Sequence, residues 1–191
     1  MNRSAVAAIG LVFFAGAALA DETALRSRAA ELTADYAKLL KAALSGAINK
    51  DGPIGALDFC HGIAPKIAAD LSRSSGWSVA RTSLKPRNSA SAPDDYERKV
   101  MEAFNARIAK GEKAADLVSA EVVEDHGVKV FRFIKAIPTG EICLTCHGGD
   151  IAPELKQKIS QLYPNDQATG FKLGDMRGAF TLKRPLDTAA Q

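Results

Sequence analysis

Apolar residues recur at helical spacing through the first part of the chain. They form one face of a predicted helix over Glu22–Asn49, at Leu25, Ala29, Leu32, Tyr36, Leu39, Leu40 and Ala43. The sequence Asp51-Gly52-Pro53 is expected to end this helix, because glycine and proline both disfavour its continuation. A second helical pattern runs from Ile54 towards Leu71. We expect Pro65 to interrupt it, because proline lacks the amide hydrogen that would bond the carbonyl of His61 and its ring crowds that carbonyl.

The rest of the chain predicts strands mixed with shorter helices. The predicted elements are a strand over Gly76–Leu84, a helix over Pro93–Lys110, a hairpin of Glu121–Glu124 and Val128–Ile137 turned by Asp125-His126-Gly127, a helix over Pro153–Tyr163 and a strand over Gly178–Leu182. Helices come first, an antiparallel sheet occupies the middle, and one strand closes the chain. This order predicts an α+β fold.

The first residues have the pattern of a secretory signal. Asn2 and Arg3 precede an uncharged apolar run, Ala5–Ala20, which closes in Ala-Leu-Ala. The run is shorter than the roughly 20 residues that span a bilayer. We therefore expect residues 1–20 to be a cleaved signal peptide and the mature protein to begin at Asp21. The expected product is a periplasmic protein without a membrane span.

Residues 21–191 are enough for a single domain with a hydrophobic core. The full chain carries 25 Lys and Arg against 22 Asp and Glu, and these charges are dispersed. A dispersed, nearly balanced charge does not indicate a nucleic-acid partner.

Candidate chemistry is concentrated in Cys143-Leu144-Thr145-Cys146-His147. Cys-x-x-Cys-His is the attachment pattern of covalent c-type haem. Two thiols saturate the vinyl groups on one porphyrin edge, and the adjoining imidazole reaches the iron as an axial ligand. Together with the signal, the motif predicts one haem c attached through Cys143 and Cys146, with His147 as a metal ligand.

The third cysteine, Cys60, leaves an odd thiol in an oxidising compartment. It is either a buried structural thiol or a ligand to the sixth position of the iron, and the residues alone leave both interpretations open.

Four ordered segments of the chain resemble the family of haem-c-binding PAS-like domains. They are Cys60–Ala68, Arg81–Asn88 followed by Pro93–Glu97, Cys143–Gly148, and Gly170–Ala179. The resemblance implies a PAS-like antiparallel sheet behind a long N-terminal helix, with flanking helices and haem between sheet and helices. It also implies an unusual His/Cys axial pair, which falls here on His147 and Cys60. The chain departs from the family pattern at Ser89-Ala90-Ser91-Ala92 and at Tyr96, which affects the loop and not the haem motif.

Helical geometry also bears on the sixth ligand. Leu57 and Cys60 share a helix face, whereas His61 is rotated by about 100° from Cys60, so Cys60 is expected to point inward. His61 and Met176 remain alternatives. His126 lies in the predicted turn, and Met101 is expected in the core, as is Trp77.

Chemistries other than haem are compatible with parts of this pattern. The three cysteines with His61 or His147 could form a tetrahedral zinc site. A thioredoxin-like site would need βαβ surroundings that the pattern does not predict. The basic segment with Arg81, Lys85 and Arg87 is either a solvated loop or a partner for the haem propionates, and Arg87 is the candidate because guanidinium matches carboxylate geometry.

Two functions follow from these expectations. A thiolate ligand that leaves on reduction would make the protein a sensor of redox state or of a diatomic gas. Two permanent ligands would make it an electron-transfer cytochrome with a redox partner protein. We do not expect an enzyme, because no acid and base groups are evident beside an open iron position. No kinase or DNA-binding segment is present either, so a signal would pass to a separate partner.

Overall fold

A computed structural model describes residues 14–186, with side chains from residue 21 onward. Residues 1–13 of the predicted signal peptide lie outside the described residues. The helices are α1 (Phe14–Ser75), α2 (Asp95–Ile108), α3 (Glu141–His147) and α4 (Pro153–Leu162), and the strands are β1 (Ser78–Thr82), β2 (Val118–Asp125), β3 (Val128–Pro138) and β4 (Met176–Pro185). Single 3₁₀ turns lie at Ser89–Ser91 and Ala114–Asp116.

Helix α1 consists of two helical segments joined without a loop. Gly52 has φ 70° and ψ −179°, a conformation that glycine adopts readily and other residues rarely do. The helix resumes at Pro53. The predicted break at Asp51-Gly52-Pro53 is therefore confirmed. The predicted interruption at Pro65 is wrong, because the helix continues to Ser75. Pro65 and His61 are both exposed, so water can satisfy the carbonyl that loses its partner.

The four strands form one antiparallel sheet in the order β1-β4-β3-β2. The last strand in the chain is thus a central strand, between β1 and β3. At Gly178 the strands β4 and β1 approach so closely that an added Cβ would lie 2.5 Å from the Thr82 carbonyl oxygen. Glycine here lets β4 lie against the end of β1.

Each face of the sheet is covered by a different helix. The first half of α1 buries Ala29, Leu32 and Tyr36 against Trp77, which precedes β1, and against side chains of the sheet, which are Val79, Phe131, Phe133, Phe180 and Leu182. On the other face α2 buries Val100, Met101 and Phe104 against Ile134, Ala136 and Ala179. Alternation along β3 places Phe133 on the first face and Ile134 on the second. Fully burying each such large side chain contributes about 1.5–3 kcal/mol.

The second half of α1 packs elsewhere. Leu57 forms a separate apolar cluster with Leu155 and Ile159 of α4, and Cys146 of α3 packs against this cluster. An ion pair of 3.0 Å between Lys158 Nζ and Asp58 Oδ1 links the same helices. This cluster brings α1 to the helix that carries the Cys-x-x-Cys-His motif.

The predicted α+β class is confirmed, with a long N-terminal helix, an antiparallel sheet and flanking helices. The predicted elements are all present, although β2 begins at Val118 and β4 extends over Met176–Pro185. Helix α3 was not predicted, because seven residues are too few for a helical pattern to be recognised.

Candidate functional site

The three motif residues project from one side of α3. Cys143, Cys146 and His147 lie at i, i+3 and i+4 of a helix that begins after Gly140 and ends at Gly148. The backbone of Gly148 lies so close to the last turn of the helix that an added Cβ would lie 2.6 Å from the Leu144 carbonyl oxygen. All three motif side chains are half-buried.

His147 is held in one orientation by the segment that precedes β4. Its Nδ1 lies 2.7 Å from the carbonyl oxygen of Ala168, which can only accept, so Nδ1 carries the hydrogen. The Phe171 ring meets the imidazole edge-on at a centroid distance of 6.3 Å. Burial, with the positive charges of Arg177 and Arg87, lowers the pKa of His147 to about 2. The imidazole is therefore neutral, and its Nε2 lone pair is free for a metal.

Arg87 connects three parts of the site. Its Nε and Nη2 lie 3.2 and 3.1 Å from the carboxylate oxygens of Asp166, and both side chains are 9% exposed. Nη2 also donates to the carbonyl oxygens of Cys146 at 2.6 Å and Ala168 at 3.2 Å. Arg87 thus joins the end of α3 to the loop that orients His147. This role was not predicted, and the predicted contact with a propionate stays a prediction.

Cys60 lies on the same side of the molecule as the motif. It is half-buried on α1, one turn after Leu57, and Leu57 and Cys146 belong to the same apolar cluster. Burial raises the pKa of the Cys60 thiol against the opposing charges of Arg81 and Arg87, and Cys146 adds to the rise. The Cys60 thiol is therefore near enough to Cys146 for their charges to interact.

The alternative ligands lie in other surroundings. His61 is exposed and its ring meets Tyr163 edge-on at 5.3 Å. Met176 is buried among α2 and sheet residues, as is Met101, and Trp77 is buried with α1 as predicted. The His126 side chain is 98% exposed in the hairpin turn.

Arg177 is a site residue that sequence reasoning missed. Its Nη1 donates to Ser83 Oγ at 3.3 Å, its guanidinium lies 5.2 Å from the Phe171 ring centroid, and its Nε is buried without a partner. Burial, followed by the charges of Arg87 and Arg81, lowers its pKa to about 10. Its sequence signal is its place in the Gly170–Ala179 segment of the resemblance, at the start of the last strand of the chain.

Comparison with known families gives a match over residues 17–185 to the model described as Tll0287-like. The chain belongs to the Tll0287-like family. The match covers α1 to β4 and contains Cys60, Arg87, the motif of α3 and Arg177.

One solved structure resembling this family member is that of the cyanobacterial haem protein Tll0287. The two are 25% identical, with a TM-score of 0.54 over 66% of this chain and 72% of the other. No curated protein sequence matches the chain.

Within residues 14–186, no three His, Cys, Asp or Glu side chains lie close enough to hold one metal ion. The described geometry thus gives the zinc alternative no support. In the same range, no helix is long and apolar enough to cross a membrane.

Proposed function

We propose that the chain is an exported haem-c protein that senses redox state or a diatomic gas. Cys143 and Cys146 would form the thioethers to one haem, and His147 and Cys60 would be its axial ligands. The observation that carries the proposal is the proximity of Cys60 to Cys146 of the motif, together with a His147 imidazole whose Nδ1 is held by Ala168. The haem of the cyanobacterial relative supports the choice of cofactor.

The residues of the site fit a haem better than a bare metal ion. A porphyrin brings four nitrogen ligands, so the protein needs to supply only two, which agrees with the absence of a three-residue cluster from the described part of the chain. His147 has a fixed tautomer, as a metal-bound histidine requires. The positive charges of Arg177, Arg87 and Arg81 all lower the pKa of His147, and a haem carries two carboxylates that such guanidinium groups bind.

When bound, the haem would supply an iron centre whose charge changes by one on reduction. Cys60 would bind as a thiolate, an anionic ligand that is held less tightly after the centre loses a positive charge. His147 is neutral and tied to Ala168, so it is expected to stay. Cys60 is therefore the ligand that we expect to leave.

Dissociation of Cys60 from the iron would loosen the second half of α1. The helix after Gly52 is held to α4 by the Leu57 cluster and by the Asp58–Lys158 ion pair. An exposed ion pair contributes only about 0–1 kcal/mol, so the bond to Cys60 would be a main tether of this segment. Its release would change the segment that a separate partner protein reads.

The test compares the oxidised and reduced haem-loaded protein by carbon monoxide binding and by hydrogen exchange. Reduction should open the protein to carbon monoxide and raise exchange across residues 54–71, while the strands β3 and β4 stay protected. His61→Ala is the matched control on the same helix and should behave as the wild type. A reduced protein that excludes carbon monoxide and shows no exchange difference would contradict sensing.

Electron transfer is the second candidate function. Ile142, beside Cys143, is 42% exposed, and Thr145 on the same helix is also exposed. An exposed apolar side chain at the attachment edge suits brief contact with a redox partner protein. In that case both axial ligands would stay bound in both redox states.

A further inference from the structure

Arg177 is a half-buried cation that has no carboxylate partner among the described residues. Nη1 is bonded to Ser83 Oγ and the guanidinium plane lies over Phe171, but Nε is buried and has no partner. Within residues 14–186, no Asp or Glu lies at ion-pair distance from it. After burial, the charges that affect the pKa of Arg177 most are those of Arg87 and Arg81, which are also cations. A buried charge without a counter-charge is costly.

The other buried arginines do not have this deficit. Arg87 pairs with Asp166 at 3.1 Å, and Arg132 pairs with Asp94 at 2.8 Å and Glu97 at 3.4 Å. Arg81 has no ion pair among the described residues either, but it is exposed and can be solvated. Arg177 thus differs from Arg87 and Arg132, whose charges are paired with carboxylates.

The Phe171 side chain lies between Arg177 and His147, the candidate metal ligand. The Arg177 guanidinium lies 5.2 Å from the Phe171 ring centroid and the exposed Lys85 Nζ lies 4.7 Å from it, and the ring meets the His147 imidazole at 6.3 Å. Arg177 is therefore separated from His147 by a single aromatic side chain. Arg87 is less available than Arg177, since its Nε and Nη2 are committed to Asp166 and two carbonyls.

We infer that Arg177 binds a carboxylate of the ligand at this site, which, resting on the proposed function, is a haem propionate. Arg177, and not Arg87, then supplies the main charge-assisted hydrogen bond to that group, and Arg81 adds a solvated positive charge nearby.

The test is the pH dependence of the haem reduction potential in the haem-loaded protein. A cation within about 4–6 Å lowers a carboxyl pKa by about one to three units. Arg177→Gln should therefore move the acid inflection of the potential upward by about that amount. Arg184→Gln is the matched control, because Arg184 lies on the same strand and donates to the Gly76 carbonyl oxygen instead. Its inflection should coincide with that of the wild type.

Arg177→Lys keeps the charge and is the second variant if Arg177→Gln does not fold. It should leave the inflection close to the wild type but shift the propionate bending band in the resonance Raman spectrum, because the planar fork is lost. An unmoved inflection in Arg177→Gln, or an unmoved band in Arg177→Lys, would overturn the inference.

Acetate titration at constant ionic strength separates a propionate from a free carboxylate. A haem-borne group predicts no dependence of the wild-type inflection on acetate, and a marked dependence would overturn the assignment to propionate. A wild-type protein without haem would overturn the proposed function as well, whereas a haem-loaded protein with unmoved signals overturns the Arg177 assignment alone.

Discussion

The His147 imidazole and the Ala168 carbonyl oxygen are joined by a hydrogen bond of 2.7 Å. Ala168 is itself fixed, because its amide donates to Asp166 Oδ1 at 2.9 Å and its carbonyl also accepts from Arg87. Backbone bonds from Gly170 to Gly148 and from Phe171 to His147 hold the same loop against the end of α3. The orientation of His147 thus depends on Asp166, a residue that does not touch it.

Asp166→Ala should destabilise the protein by about 3–5 kcal/mol, because it leaves Arg87 buried without its carboxylate. It should also loosen Ala168 and lower the fraction of chains that hold haem. Urea unfolding and the haem-to-protein ratio measure the two effects. Asp166→Asn, which keeps an acceptor for the Ala168 amide, should retain more haem than Asp166→Ala. The exposed Asp150→Ala is the surface control, and equal losses in Asp150→Ala and Asp166→Ala would contradict the argument.

Replacing Cys60 tests the sixth ligand. Cys60→Ala should leave haem attached and change the ferric absorption spectrum away from thiolate ligation, since the thioethers do not depend on that thiol. His61→Ala and Met176→Ala should leave the spectrum unchanged, because one side chain is exposed beside Tyr163 and the other is buried on the α2 side of the sheet. A spectrum that responds to either of these variants and not to Cys60→Ala would reassign the ligand.

Covalent attachment is tested on denaturing gels. The wild-type protein should keep its haem-dependent peroxidase stain after denaturation, because thioether bonds survive it. The double variant Cys143→Ser with Cys146→Ser should lose the stain, whereas Cys60→Ser should keep it. A colourless wild-type protein with stoichiometric zinc would refute covalent haem.

An acid-sensitive contribution to stability is expected at Asp94. Burial would raise its pKa, but hydrogen bonds from Lys183, the Glu97 amide and Arg132 outweigh it, and the pKa is lowered. Its folded pKa therefore lies below the unfolded value of about 3.9. The stabilisation is complete above that value and is lost as the pH falls through the folded pKa.

Asp94→Asn should cost about 2 kcal/mol at pH 7, since charge-assisted bonds to Arg132 and Lys183 are lost. The difference in the free energy of unfolding between wild type and variant should shrink in acid, below about pH 4. Urea unfolding at both pH values measures it. A difference that is the same at neutral and acid pH would show that the charge of Asp94 does not matter.

The features of the site that depend on short motifs or on helical spacing could be predicted from the sequence. A short motif identified Cys143, Cys146 and His147 as candidates. The helix face of Cys60 could be predicted from that of Leu57, because both residues lie after the break at Gly52 in one uninterrupted helical segment. The predicted interruption of the helix at Pro65 was wrong, because the sequence pattern does not show that the carbonyl left without a partner would be exposed to water. Contacts between distant residues were not predictable: Arg87 and Asp166 are 79 positions apart, and Arg177 and Ser83 are 94 apart.

The central place of β4 in the sheet sets an order of events during biosynthesis. Thr82 of β1 pairs with Ala179 of β4, so β1 has no partner until almost the whole domain has left the ribosome. Pairings over such long sequence separations form slowly. A nascent chain therefore presents the thiols of Cys143 and Cys146 before its sheet can close. Chemical modification of these thiols can therefore precede the closing of the sheet.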